Sequence, residues 1–453
     1  MKNMLRFPLA FLAFLILNGC HNFLDMKPDQ KMAIPKTLEH ADLLLNDYSI
    51  LNAGFPSYGE IASDDYFIST ENWNGLYDMD EKATYNWTDD DISNATQWQN
   101  SYKTIYQVNL VLDVLQELDA NKNKVQFDRV KGGAYFFRAF ALHQLSTVFT
   151  LAYNEKTAAN DLGLPLRLIP EIDYKSTRSS LKDTYNQIIT DYKVAIRSLP
   201  KIEPLKGRPS RAAAYGGLAR LYLDMGDYQN AFVYADSSLM INEHIVDYNS
   251  ININASTPFQ RFNPEVLFAA STPVAGPLGM SFCLIDTALY ASYSSNDLRK
   301  TVFFRKNIEN SLYYSFKGSY DGSNAGLFVG LTTPELLLIR AEAAVRTKRI
   351  SKALADYNKL LKNRIRNLSY VPSLEHDPDR LLSLIIEQRR KELIFRGRRW
   401  ADLKRLNKEP RFAKKLVRVL DGETYSLEPN SLKYAIKIPQ IVIEQSGIKQ
   451  NIR

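Results

Sequence analysis

The chain has 453 residues, of which 45% are hydrophobic and 11% aromatic, and a formal net charge of +7. That composition is globular, and the length suits about three ordinary domains or one extended repeat assembly. Cys20 and Cys283 are the only cysteines, which excludes an internal disulfide framework, and after the N-terminus no run of about eighteen apolar residues offers a membrane span.

Lys2 and Arg6 form a positive start, Phe7 to Leu17 is an apolar stretch of eleven residues, and Leu17-Asn18-Gly19-Cys20 follows. This is the layout of a signal peptide over residues 1–19, too short to span a bilayer. The tetrad resembles a lipobox, so the mature unit, residues 20–453, is expected to begin at a lipidated Cys20. Each buried methylene contributes roughly 0.8 kcal/mol, and several acyl chains on one residue tether a protein without embedding it. The alternative is secretion with Cys20 free or lost.

Residues 52–96 are rich in Gly, Ser, Asn, Asp and aromatics and lack a sustained helical period, which predicts a long irregular region. Helical periodicity then runs from Gln97 to Leu118, from Phe127 to Phe149 and from Ser180 to Leu199. Ser210 follows Pro209 and offers a cap for a helix with Ala213, Leu218, Ala219 and Tyr222 on one face. Asp224 to Asp227 is the turn, and Tyr228, Ala231, Ala235 and Leu239 restart the period. Ala219, Tyr222, Gly226 and Ala231 hold the small, aromatic, glycine, small order of a tetratricopeptide (TPR) repeat. Residues 244–330 form a second irregular region. Thr333-Pro334-Glu335 predicts another helix start with Thr333 as cap, and Ala341, Ala344, Ala353 and Tyr357 repeat the spacing. The expected fold is mainly α: a TPR-like scaffold of helix pairs over about 97–243 and 333–407, with the two irregular regions packed on it. Ile436, Ile438 and Ile441 read as strand or anchoring residues of an irregular tail.

Ile386 to Arg418 holds thirteen Lys or Arg against four acids. With an export signal and no nucleic-acid entry motif, this reads as a solvated helix face with internal ion pairs.

Catalytic and metal signals are absent: there is no G-x-S-x-G elbow, phosphate-binding glycine loop, H-E-x-x-H or Cys-x-x-Cys. His21, His40, His143, His244 and His376 are scattered; His143, in an apolar helix, reads as a core residue, and Cys283 has no neighbour to activate it. Asp64-Asp65 and Asp89-Asp90-Asp91 read as solvated loop or cap acids, with calcium as the alternative. Sugar binding needs flat aromatics flanked by polar side chains. The first irregular region offers Tyr66, Phe67, Asn72, Trp73, Asn74 and Tyr77, and the second Tyr290, Tyr293, Asn296, Asp297, Arg299, Tyr313, Tyr314 and Tyr320. Trp73 leads this set, its alternative being a plug beneath the loop. Trp87, Trp98 and Trp400 are expected in the core.

Four stretches carry a resemblance. They are Phe23-Leu24-Asp25 with Pro28; Trp98, Tyr102, Ile105 and Asn109 with Arg138-Ala139; the run from Gln388 to Arg405; and Ile438-Pro439-Gln440 with Gln450-Asn451. Together they resemble the SusD/RagB family, surface lipoproteins that capture nutrients for a TonB-dependent outer-membrane transporter. The family writes Glu where Gln388 and Arg396 stand, so the local ion network must be rebuilt with Glu387, Glu392 and Asp402. The run reads as a packed helix junction around Trp400. The resemblance implies a lipid-anchored, surface-facing outer-membrane protein without catalytic activity or cofactor. It would bind a glycan and pass it to a SusC-like barrel. Peptide capture within the same family, a lipid-anchored TPR adaptor and a surface hydrolase stay open.

Overall fold

The computed structural model describes residues 35–453 except 172, 174 and 324. The signal peptide, Cys20, His21 and the Phe23-Leu24-Asp25 motif lie outside the described residues. Thr37–Arg453 form one unit.

Its frame is a series of helices in which each packs on the next. They are α1 (Thr96–Gln116), α2 (Lys124–Phe149), α3 (Leu181–Ser198), α4 (Arg211–Met225), α5 (Tyr228–Leu239), α6 (Thr333–Arg346) and α7 (Ile350–Lys362). Two further helices, α8 (Pro378–Glu392) and α9 (Arg399–Leu406), close the series, with α8 against α6. The starts are set by side chains. Ser180, Ser210 and Asp227 each accept a hydrogen bond from the backbone N–H three residues on, satisfying a donor the helix leaves open. Gly226 ends α4 with φ +82°, a conformation glycine adopts without strain.

The TPR-like spacing has its packing counterpart. Ala213, Ala219 and Ala231 are fully buried, and Tyr222 stacks on Tyr234 with ring centres 5.5 Å apart. Gly217 lets α4 approach α3, since an added Cβ would lie 2.6 Å from the ring of the buried Tyr192. Gly217→Ala is therefore expected to cost about 1–3 kcal/mol by overpacking, read as a lower urea midpoint; an unchanged midpoint would show that the ring yields freely.

Three details differ from the sequence reading. Thr332, not Thr333, flanks α6; Thr333 is the first helical residue and is buried, with its hydroxyl donating to the His244 carbonyl. The 52–96 region contains short helices at Tyr58–Ala62, Thr70–Asn74 and Met79–Asn86. The basic run ends in a hairpin, Leu416–Leu420 with Glu423–Leu427, turned by Asp421 and Gly422, both at positive φ.

The 244–330 region is held by two-stranded pairs. Val266–Phe268 pairs with Leu331–Thr332, and Ser271–Pro273 with Gly326–Phe328. The tail is anchored by Ile436 and Ile438, both buried, whereas Ile441 is exposed on a short helix, Gln440–Ser446. Trp87, Trp98 and Trp400 are buried, as expected. Among the described residues no helix is long and apolar enough to cross a membrane.

Candidate functional site

From Gln388 to Arg405 the basic run is a largely buried junction, as its reading as a packed helix junction expects and against its reading as a solvated face. Lys408, Arg411, Lys414 and Lys415 beyond it are exposed. Arg389, Arg396, Arg398, Arg405 and Lys404 are all buried. Asp402 holds Arg389 and Arg405, Glu342 takes the other end of Arg405, and Asp224 takes Arg398 at 2.7 Å. Glu392 bridges Arg299 and Arg364. Among the described residues Glu387 pairs only with Lys391, and acids from other helices complete the network. At the two departures, Gln388 Oε1 accepts from Arg299 at 2.5 Å, and Arg396 lies flat on Tyr320, its guanidinium carbon 3.4 Å from the ring centre. Lys404 donates to the carbonyls of Thr147 and Thr150 at the end of α2, while burial pushes its pKa down to about 7.

The acidic pair Asp64-Asp65 belongs to the same junction and is not solvated. Asp64 binds Arg399 at 2.6 Å, and Asp65 binds Arg390 at 2.8 Å. Asp89 and Asp91 remain surface acids paired with Lys433 and Lys437. His143 is buried against Asp224 at 2.9 Å, burial lowering its pKa, and burial pushes the Cys283 thiol well up. Among the described residues no group of three or more His, Cys, Asp or Glu could hold a metal ion.

The two irregular regions meet through backbone pairing. β1 (Tyr66–Phe67) pairs antiparallel with β2 (Leu284–Ile285), and β3 (Phe304–Lys306) pairs with β4 (Tyr314–Phe316), which contacts β2. Burial sorts the candidate aromatics into two sets. Tyr66, Tyr293 and Tyr320 face inward and are core residues, which corrects their assignment to a ligand surface. The Tyr66 hydroxyl donates to the Ile61 carbonyl at 2.9 Å and that of Tyr293 to the Lys391 carbonyl at 2.8 Å. Tyr320 is held by Tyr248, Glu265 and the stacked Arg396. Asp297 and Arg299 are likewise buried, paired at 2.7 Å.

The outward set is half-buried: Phe67, Tyr290, Tyr313 and Tyr314. Tyr290 and Tyr314 stack with ring centres 3.8 Å apart and planes 16° apart, and Phe67 meets Tyr313 edge to face at 5.2 Å. Lys300 lies 4.7 Å over Tyr290, and the exposed Lys306 5.4 Å over Tyr314. Ser69 caps the short helix that carries Asn72 and Trp73. Trp73 is half-buried with Lys82 5.0 Å over its ring, and its buried Nε1 has no hydrogen-bond partner among the described residues. Asn72 is half-buried beside it, and Tyr77 is 100% exposed.

One concave feature escaped the sequence reading. A cleft of about 870 Å³ runs along the outer side of α1, lined by Trp98, Tyr102, Tyr106, Gln99 and Gln107. Tyr102 and Tyr106 are one helical turn apart, a spacing that the sequence shares with any buried face.

Helix pairs that stack into a rigid scaffold, with strand-tied loops presenting aromatic rings, define a TPR-like, loop-bearing scaffold protein. Residues 22–223 match a family model described as starch-binding and associating with the outer membrane, and residues 301–440 match the model of the SusD family. The chain belongs to the SusD/RagB family. It is 24% identical over 380 residues to the SusD-like protein P2 of Formosa agariphila, spanning 70% of this chain and 72% of that protein. In three dimensions it is similar to a SusD superfamily protein of Bacteroides thetaiotaomicron, with a TM-score of 0.74 at 20% identity over 92% of this chain and 100% of that one. A SusD-like carbohydrate binding protein of Bacteroides vulgatus gives 0.67 at 17% identity, covering 90% of this chain and 96% of that one. At these identities the structural likeness establishes the fold.

Proposed function

We propose that this protein is a lipid-anchored receptor on the outer face of the outer membrane that captures oligosaccharide and hands it to a TonB-dependent barrel transporter, without catalysing a reaction. The outward aromatic set carries the reading. Tyr314 offers a flat ring stacked on Tyr290, and the lysine above it is exposed and can swing aside for a sugar face. Phe67 and Tyr313 extend the apolar strip, and Tyr77 adds a fully exposed ring on the neighbouring loop. The family description of starch binding at the outer membrane and the Bacteroides vulgatus carbohydrate binding relative support the ligand class. The signal peptide with Cys20 supports the anchor.

The test is native affinity electrophoresis through gels containing neutral polysaccharides. Retardation by one glycan is expected, with Tyr314→Ala weakening it by about tenfold, equivalent to about 1.4 kcal/mol. The melting temperature should fall by only a few degrees, since the stacked pair contributes about 0.5–1.5 kcal/mol. No retardation by any glycan, together with binding of oligopeptides in calorimetry, would move the function to peptide capture.

A further inference from the structure

A second concavity shares no residue with the aromatic strip. It is a pocket of about 440 Å³ bounded by residues 45–52, the 204–208 loop and Phe262, a size in the range of small-ligand sites. Tyr48 and Phe262 form its aromatic wall, their rings edge to face at 6.5 Å. Arg261 lies over both, its guanidinium carbon 4.5 Å from one ring centre and 4.8 Å from the other.

Two features of this pocket cost the folded chain free energy without a visible return. Phe262 has φ +62°, a left-handed conformation that a bulky side chain rarely adopts, yet its ring is 41% exposed and fills no core. Lys206 is half-buried in the pocket lining, and among the described residues neither a carboxylate nor a hydrogen-bond acceptor meets its ammonium. Burial alone lowers its pKa. The other basic groups nearby are compensated: Arg208 binds Asp42 at 2.6 Å and Arg129 binds Glu203 at 2.9 Å. Arg261 is in no ion pair among the described residues. The pocket therefore presents an aromatic wall beside two cations, Lys206 and Arg261, that no carboxylate pairs with directly among the described residues, although the charge of Asp321 is felt at Tyr48. Asn46 Oδ1 accepts from Arg208 at 2.8 Å, which leaves its amide nitrogen at the rim as a donor to a hydroxyl.

We propose that this pocket binds a sugar ring carrying an anionic substituent, a carboxylate or a sulfate, with the C–H face of the ring on Tyr48 and Phe262 and the anion between Lys206 and Arg261. An anion there would supply the missing counter-charge in a partly desolvated setting, where an ion pair is screened less than on open surface. The proposal rests on the reading of the chain as a glycan receptor, but it assigns a different site and a charged class of ligand.

Calorimetry of the detergent-solubilised full chain against four probes separates the two. These are an oligogalacturonate, a sulfated carrageenan oligosaccharide, a neutral cello-oligosaccharide and poly-glutamate. One or both anionic sugars are expected to bind, more weakly as salt is raised, with Lys206→Met and Phe262→Ala each weakening binding by about tenfold. Tyr314→Ala should leave that binding unchanged. The carboxylate and sulfate probes identify which anion is preferred. Failure of both anionic sugars, equal affinity in Lys206→Met, or binding of poly-glutamate alone would overturn the proposal. Neutral glycan binding lost in Tyr314→Ala and kept in Lys206→Met would leave the receptor reading standing whether or not this pocket binds anions.

Discussion

Replacing Arg364 with methionine is expected to destabilise the protein by about 3–5 kcal/mol, the cost of leaving buried carboxylates without their partner. Arg364 is fully buried and serves two acids at once: its Nη2 donates to Glu265 at 2.8 Å and to Glu392 at 2.8 Å. Its Nη1 donates to the Val246 carbonyl at 2.7 Å, and the guanidinium lies 3.8 Å from the ring centre of Tyr248. Without it, Glu392 keeps Arg299 at 3.2 Å, and Glu265 keeps the Tyr320 hydroxyl and the Val246 backbone N–H. Neither acid then has enough donors for a desolvated charge. The measurement is urea denaturation of Arg364→Met beside Arg364→Lys. Lysine retains the charge but not the planar fork, so it should recover only part of the loss. A loss under about 1 kcal/mol for methionine would mean that the network is open to water.

The position of Arg364 shows why the scaffold could be read from the sequence and the ligand surface only in part. Ala219, Tyr222, Gly226 and Ala231 lie within thirteen residues of one another, so the pattern that makes α4 and α5 pack is local and visible in the sequence. Burial of an aromatic in a loop depends on residues far away in the chain. Tyr320 reads as exposed among Gly, Ser and Asn, but Arg396 covers its ring, and Tyr66 has Arg418 5.7 Å from its ring centre. The antiparallel pairing of Tyr66 with Ile285 decides that Phe67 faces outward and Tyr66 inward, and a two-residue strand carries no periodic signal of its own. The hairpin at Leu416–Leu420 alternates in burial, but its side chains run against that alternation, since Arg418 is buried with Leu416 and Leu420 while Val417 and Val419 are exposed, so only the Asp-Gly turn marks it in the sequence. Reading that stretch as part of a basic run hid it. Thirteen basic residues suggest surface, and Lys408, Arg411, Lys414 and Lys415 are exposed, but acids from α4, α6 and the 64–65 loop neutralise Arg398, Arg405 and Arg399 inside.

Glu60→Gln is expected to become steadily more stable than the parent protein as pH rises from about 4.5 to about 8, with the gap reaching about 3–5 kcal/mol. Glu60 is buried on the short helix Tyr58–Ala62, and among the described residues its carboxyl oxygens make no well-formed hydrogen bond, the backbone N–H groups of Gly397 and Arg398 approaching them only loosely. Burial first, and then the charge of Asp65, push its pKa from 4.5 up to about 8. Below pH 4.5 the group is protonated in both the folded and the unfolded chain and does not affect their balance. Between 4.5 and 8 the unfolded chain releases the proton while the folded chain holds it, so folding loses about 1.4 kcal/mol for each pH unit. Above 8 both forms are ionised and the loss stays constant. Glutamine has the same shape and no proton to release, so it removes this slope and leaves the others in place. Those include the opposite contribution of Lys404, whose pKa near 7 makes folding more favourable as pH rises above that value. Subtracting the two stability profiles isolates Glu60. Parallel profiles between pH 4.5 and 8.5 would show that Glu60 is ionised in the folded chain and that Arg398, with the backbone N–H groups of residues 397 and 398, compensates its burial.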